Sequence, residues 1–363
     1  MARARHPRRA HRLLGWTSGF AALLLATTAC EKLGGRLDGG APDAAPRDGG
    51  RRDGERRDGG RRDGLAPRDA APDALLGTWQ AAASPTLEDL VAIWGRSASE
   101  LWAVGESGAI LRYDGAAWRL ETRVNAALSG VAGNATEVYA VGSPAAVYRL
   151  AVGTWQRLVV PGLSTERLRA VHSPTPGEVW VAGAGLGAGS GLALRLREGQ
   201  WLRTNLGPPP SAFIAIWSGG SQMPLWALGE NNGTLFRLSG QAWAAAAIPT
   251  SLPLLRLGGR SASDAWAVGR DGVVAHHDGA TWTASGTLLP GGALHGVVGL
   301  SAAEAWAVGE LAGAAAAVRF DGRSWRVVGL PAAAGLRDVW GASPTELWAV
   351  GLRGTLLHYQ LVR

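Results

Sequence analysis

A four-residue element, Trp-Ala-Val-Gly or a near copy of it, recurs seven times in this 363-residue chain and constrains its fold more than any other feature. The copies begin at Trp102, Tyr139, Trp180, Trp226, Trp266, Trp306 and Trp348, at intervals of 37, 41, 46, 40, 40 and 42 residues. A second tryptophan closes each unit, at Trp118, Trp155, Trp201, Trp243, Trp282 and Trp325, and a third position ahead of the element holds Trp94, Trp217 and Trp340. Once Trp79 is added, these positions account for all 17 tryptophans except Trp16. Self-similarity at a period near forty residues is the mark of a repeat architecture.

Within a unit, short apolar runs alternate with turn signals. In the first copy "LVAIWG" precedes "RSAS", "ELWAVG" precedes "ESG", "AILRY" precedes "DGA", and "AWRLE" follows. Runs of five or six residues between Gly, Ser and Asp clusters read as strands. Asp-Gly between two such runs signals a hairpin, because both positions tolerate positive φ. Helical repeats of similar length would need longer segments of 3.6-residue period, and none is present. Each unit is therefore expected to be a four-stranded antiparallel sheet, and such sheets arrayed radially make a β-propeller. Alternation along Trp-Ala-Val-Gly puts Trp and Val on one face and Ala and Gly on the other. The small face is expected to receive the indole of the adjoining blade, burying about 150–250 Å² per tryptophan.

The last copy, "DVWGASPTELWAVGLRGTLLHYQLVR", stops at Arg363 without a closing tryptophan, whereas Trp79 in "GTWQ" has no earlier strands of its own. The same "GTWQ" forms the closing strand of the second copy at residues 153–156. The expected fold is thus all-β: a seven-bladed β-propeller over residues 76–363, four antiparallel strands per blade, with the last blade closed by the N-terminal strand. Closure of that kind removes the open edges of an unclosed array.

Ahead of the propeller lie two other segments. Residues 1–29 carry Arg3, Arg5, Arg8, Arg9 and Arg12, no acidic residue, and an apolar run around Leu13 to Ala26. That is the pattern of an export signal, and the run is short for a membrane span. Residues 30–75 are Arg/Asp/Gly/Pro-rich, with "RRDG" beginning at Arg51, Arg56 and Arg61, and hold almost nothing apolar to bury. Such a segment cannot offset its ordering entropy and reads as a solvated tether. The net charge of +7 is concentrated at the front of the chain. No basic stripe marks the repeat region, so nucleic acid is not an expected partner. Cys30 is the single cysteine, which excludes an intrachain disulfide.

Two resemblances add to this reading. The end of the leader, "LLLATTAC", resembles a bacterial lipobox, which implies lipidation of Cys30 and a place in the cell envelope, as an outer-membrane or surface lipoprotein. The units resemble the Trp-rich repeats of predicted surface lipoproteins of myxobacteria and related bacteria, over residues 76–363. A weaker likeness connects the turns at Asp114, Asp278 and Asp321 to the Asp-box repeats of sialidase-type propellers.

A fold of this kind does not decide function. No catalytic constellation, metal-ligand spacing or cofactor motif stands out. His276 and His277 are adjacent on a strand and point to opposite faces, so they cannot easily share a metal. His277 occupies the place of Tyr113, Phe320 and Tyr359 in other copies and reads as a packing residue. The three turn aspartates recur, which suits a turn better than an acid/base pair. Departures from the repeat lie in the loops after Trp-Ala-Val-Gly, and these mark a candidate partner face at Glu106, Asn231, Asn232, Arg270, Asp271 and Arg353. Replacing Arg270 and Asp271 by alanine is expected to spare folding and weaken partner capture. The leading expectation is a monomeric, lipid-anchored binding or scaffold module for a protein or glycan, without chemistry of its own. The alternative is a carbohydrate-active enzyme of the sialidase or lyase type.

Overall fold

Each apolar run bounded by turn residues forms a strand, and the strands assemble into seven sheets. The computed structural model describes residues 77–187, 190–206, 212–220, 224–230 and 233–360. Cys30, Asn231, Asn232, the signal segment and the tether lie outside the described residues.

In the first blade the strands are Leu90–Ser97, Glu100–Gly105, Ala109–Tyr113 and Trp118–Arg123, paired antiparallel in chain order. The inner strands of the other blades are Ala127–Gly133, Arg167–Thr175, Phe213–Ser218, Leu254–Ser261, Gly292–Ser301 and Leu336–Ser343. Each inner strand touches those of its two neighbours, and the first touches the seventh, so the ring is closed. The strand Thr78–Ala81 pairs antiparallel with Leu356–Gln360 and completes the seventh sheet, as the sequence predicts. One departure is a fifth, two-residue strand, Asn205–Leu206, which runs parallel to Ala242–Ala245 at the outer edge of the fourth blade.

The core is a set of seams between blades. Trp102, Val104 and Ile110 of the first blade pack on Leu128, Val131, Ala140 and Tyr148 of the second. The opposite face, with Leu101, Ala103 and Trp118, meets Trp348 and Val350 of the seventh. Indoles meet edge to face across the seams, at 5.5 Å for Trp348–Trp118 and Trp226–Trp282, 5.3 Å for Trp266–Trp325 and 5.7 Å for Trp306–Trp79. That geometry suits the aromatic quadrupole.

The glycine of Trp-Ala-Val-Gly has a different task from the one expected. A Cβ on Gly183 or Gly309 would overlap the carbonyl oxygen of Arg167 or Ala293, where the adjoining inner strand enters the sheet. The glycines that receive indoles are on the inner strands instead. A Cβ on Gly95 would lie 2.8 Å from Trp340, and one on Gly133 would lie 2.8 Å from Trp94.

The Asp-Gly hairpins form, but not as two-residue turns. Tyr113 pairs with Trp118 around a four-residue loop, and only Gly115 has positive φ, at 90°, like its relatives Gly279 at 103° and Gly322 at 85°. The Asp114 carboxylate accepts the Ala116 and Ala117 N–H groups at 3.0 and 2.9 Å. Asp278 and Asp321 repeat the arrangement with Ala280 and Thr281, and with Arg323 and Ser324. These amides hold all three carboxyls below the usual range. The aspartates therefore serve the turn through their side chains.

Candidate functional site

The loops after Trp-Ala-Val-Gly share one face with the connections between blades, because the two sets hydrogen-bond to each other. Glu106 N–H donates to the Asp89 carbonyl at 3.2 Å, Arg270 N–H to Pro253 at 2.9 Å, and Gly354 N–H to Glu88 at 2.7 Å. The structure brings Glu106 and Arg353 together around Asp89, whose carboxylate accepts the Arg353 N–H at 2.8 Å. Arg270 and Asp271 lie at a second place, between the fifth and sixth blades. Glu106, Arg270 and Arg353 are exposed. Asp271 is half-buried, with φ of 53°, and its carboxylate accepts the Gly291 N–H at 2.9 Å. It clamps the connection into the sixth blade, so the expectation that alanine there would spare folding is revised. Arg270 is the exposed side chain of that pair and forms no ion pair among the described residues.

Sequence reading missed a feature at the channel. All seven inner strands bulge at the same level, shown by register shifts between Leu90 and Ala92, Leu128 and Gly130, Leu168 and Ala170, Phe213 and Ala215, Leu254 and Arg256, Leu294 and Gly296, and Leu336 and Asp338. A bulge inserts one residue that has no partner on the facing strand. The inserted residues are Val91, Ser129, Arg169, Ile214, Leu255, His295 and Arg337, each half-buried. The residue before the bulge is always Leu or Phe and the one after is mostly Ala or Gly, yet the bulged position itself varies from blade to blade. Its arginines are held by carboxylates, Arg169 by Glu230 at 2.8 Å and Arg337 by Glu310 at 3.3 Å, whereas His295 Nε2 lies 3.5 Å from Glu310 without a hydrogen bond. Burial and the nearby Arg337 push the His295 imidazole down.

Deeper in the channel is a cavity of about 350 Å³ lined by all seven inner strands, with Trp94, Trp217 and Trp340 on its wall. Two charges break the small-residue pattern there. Arg256 of the fifth blade reaches Asp338 of the seventh at 2.5 Å, past Gly296 of the sixth. Asp338 also accepts the Ile93 N–H of the first blade at 3.1 Å. Burial pushes the Asp338 carboxyl up against the pull of Arg256. His172 is pushed down to about 4 by burial, and its Nε2 accepts the Ser218 N–H at 3.2 Å. The Arg256–Asp338 pair ties non-adjacent blades, which no motif in the sequence announces.

Other chemistry-bearing groups are engaged in the sheets. His277 packs between Trp226 and Trp282, 5.2 Å from each, as its place in the repeat predicts. His276 stacks on Trp266 at 4.0 Å and contacts Asp264 at 3.1 Å. Among the described residues no group of three or more His, Cys, Asp and Glu could hold a metal ion.

No protein-family model and no curated protein matches the chain. Solved structures do match. YCF48 from Cyanidioschyzon merolae is 18% identical, with a TM-score of 0.63 over 78% of this chain and 98% of that one. YCF48 bound to D1 peptide is similar at 16% identity, with a TM-score of 0.63 over 80% and 99%. The virginiamycin B lyase of Staphylococcus aureus is 12% identical, with a TM-score of 0.67 over 79% and 100%. At such identities the likeness establishes the propeller fold.

Proposed function

We propose that the chain is a protein-binding propeller, anchored in the cell envelope through a lipid on Cys30, that takes its partner at the loop-face mouth of the channel and does no chemistry itself. The observation that carries this reading is the ring of bulged residues. Scaffold positions on either side repeat, while the bulge carries Val91, Ser129, Arg169, Ile214, Leu255, His295 and Arg337. A patch with apolar members on some blades and basic members on others suits a peptide or protein surface, with apolar anchors inside a polar rim. The exposed Glu106, Arg270 and Arg353 extend that rim. The peptide complex of the similar propeller YCF48 supports a polypeptide partner. The lipoprotein assignment rests on the Arg-rich leader, its apolar run and the solitary cysteine. Nothing in the geometry favours the sialidase or lyase reading, since the repeated aspartates are held in turns.

Site-specific photo-crosslinking in producing cells tests the binding reading. Probes at Ile214 and Leu255 should capture one shared partner, and Arg169→Glu with Arg337→Glu should lower the yield. Equal capture from outer-strand controls at Leu202 and Val327, which are 53% and 64% exposed, would reject the mouth as the site. Metabolic labelling with an alkyne fatty acid, lost in Cys30→Ser, tests the anchor.

A further inference from the structure

Along the second strands runs a repeated three-part contact: an aromatic, a basic side chain opposite it on the third strand, and an acid two residues ahead of the aromatic. Glu178 Oε1 accepts both the Trp180 indole N–H at 2.8 Å and Arg195 Nε at 2.9 Å. Glu304 Oε1 does the same for Trp306 and Arg319, each at 3.0 Å, and Asp264 Oδ1 contacts Trp266 and His276 at 2.9 and 3.1 Å. Glu100 holds Arg112 at 2.8 Å, Glu137 accepts the Tyr139 hydroxyl at 2.9 Å, and Glu346 contacts His358 at 2.6 Å.

The fourth blade keeps the two donors and lacks the acid. Trp226 and Arg237 face each other in register, with the guanidinium 5.7 Å from the ring centroid. Pro224 stands where the other blades have Glu or Asp. The Trp226 side chain is 4% exposed and its buried Nε1, like those of Trp79, Trp118, Trp282 and Trp348, has no hydrogen-bond partner among the described residues; only at Trp226 does an arginine without an ion pair among the described residues stand opposite it. Arg237 forms no ion pair among the described residues, and Ser221, Gln222 and Met223 ahead of Pro224 include no carboxylate. Both donors line a cavity of about 540 Å³ between the fourth and fifth blades, walled by Pro224, Ile248, Pro249 and Trp282. A buried donor left unmade is costly, and a guanidinium beside it raises the gain from an anion.

We infer that this cavity is a second binding site, which accepts the carboxylate of an Asp or Glu side chain on a partner polypeptide in place of the missing blade acid. One oxygen would take the Trp226 N–H and the Arg237 guanidinium together, as Glu178 and Glu304 do within their own blades. An acidic side chain is favoured over a free acid because the template is itself a side chain on extended backbone, and because apolar walls at Ile248 and Pro249 can cover flanking residues. The cavity includes turn residues Ala262, Gly279 and Ala280, at the strand ends opposite the loops of the proposed mouth. It neither needs that reading nor falls with it.

The test follows the Trp226 indole N–H by NMR, assigned through its loss in Trp226→Phe. The probes are a blocked Gly-Glu-Gly peptide, its Gly-Gln-Gly counterpart and acetate. The Glu peptide should shift the resonance, with the Gln peptide at least about tenfold weaker. Arg237→Gln, at an exposed position, should weaken the Glu response by a similar factor. Pro224→Glu should shift the resonance without any peptide and abolish the response to one. Equal responses to Glu and Gln peptides, no response to either, or an unchanged response in Pro224→Glu would overturn the site. Acetate acting as well as the peptide would overturn the choice of a polypeptide ligand.

Discussion

Trp79 and Tyr359 lie directly opposite each other in antiparallel register, with ring centroids 5.4 Å apart and planes tilted by 53°. Both also touch Trp306 of the sixth blade, at 5.7 and 4.9 Å. The two ends of the repeat region thus share one sheet and one aromatic seam. Closing the ring leaves no blade with an uncovered face.

Removing the Trp79 ring should therefore open a seam as well as a strand pair. Trp79 is 6% exposed, and truncation of a buried Trp to Ala costs about 3–5 kcal/mol. Trp79→Ala should lower the urea midpoint by that equivalent, and a chain beginning at residue 83 should unfold less cooperatively than one beginning at residue 77. Equal midpoints and slopes for those two chains would show that the strand is dispensable.

Ring closure was legible in the sequence because tryptophans mark the seams and "GTWQ" occurs at both Trp79 and Trp155. The turn roles of Asp114, Asp278 and Asp321 and the packing of His277 were legible for the same reason, since a role wanted in every blade is written in every blade. The channel was not. Arg256 and Asp338 each appear once and pair across the ring, so local spacing carries no trace of them. The bulge ring left a signal that went unread: a variable residue between a constant Leu or Phe and a mostly small one. Asp271 looked like a free loop charge because its amide partner, Gly291, belongs to another blade's entry.

Two glycines should respond very differently to alanine. At Gly309 a Cβ would overlap the Ala293 carbonyl oxygen, and both strands are pinned by the ladder. Gly309→Ala should cost about 3 kcal/mol or more through forced strand movement. Gly153 has φ of 75° and open space around its Cβ position, so Gly153→Ala should cost only about 1–2 kcal/mol from the left-handed backbone. Thermal unfolding of the two variants checks the order, and a larger loss at Gly153 would refute the close-approach account.

The charge pair in the channel makes an asymmetric expectation. Asp338 is 4% exposed, so Arg256→Ala leaves a buried carboxyl without its counter-charge. Breaking such a pair costs about 3–5 kcal/mol. Asp338→Asn in the same background should recover much of the loss, because the amide oxygen can still accept the Ile93 N–H. Denaturant titration of the single and double variants measures the coupling, and additive effects would mean that the two groups do not depend on each other.

His172 should make stability fall on mild acidification. Its folded value, about 4, lies below the 6.5 of an ordinary imidazole because the ring is buried. Between pH 6.5 and 4 the unfolded chain binds a proton at this position that the folded chain refuses, so stability is lost as pH drops through that window and levels off below it. Asp114, Asp278 and Asp321 act lower, since amide hydrogen bonds hold them below the usual carboxylate range and their contribution is lost only as pH falls through those depressed values. His295, also depressed, contributes to the same window as His172. Comparison of the wild type with His172→Gln separates the two histidines: the variant should lose part of the slope between pH 6.5 and 4 and keep the slope below it. Parallel curves across the whole range would mean that His172 takes up its proton as readily in the folded chain as in the unfolded one.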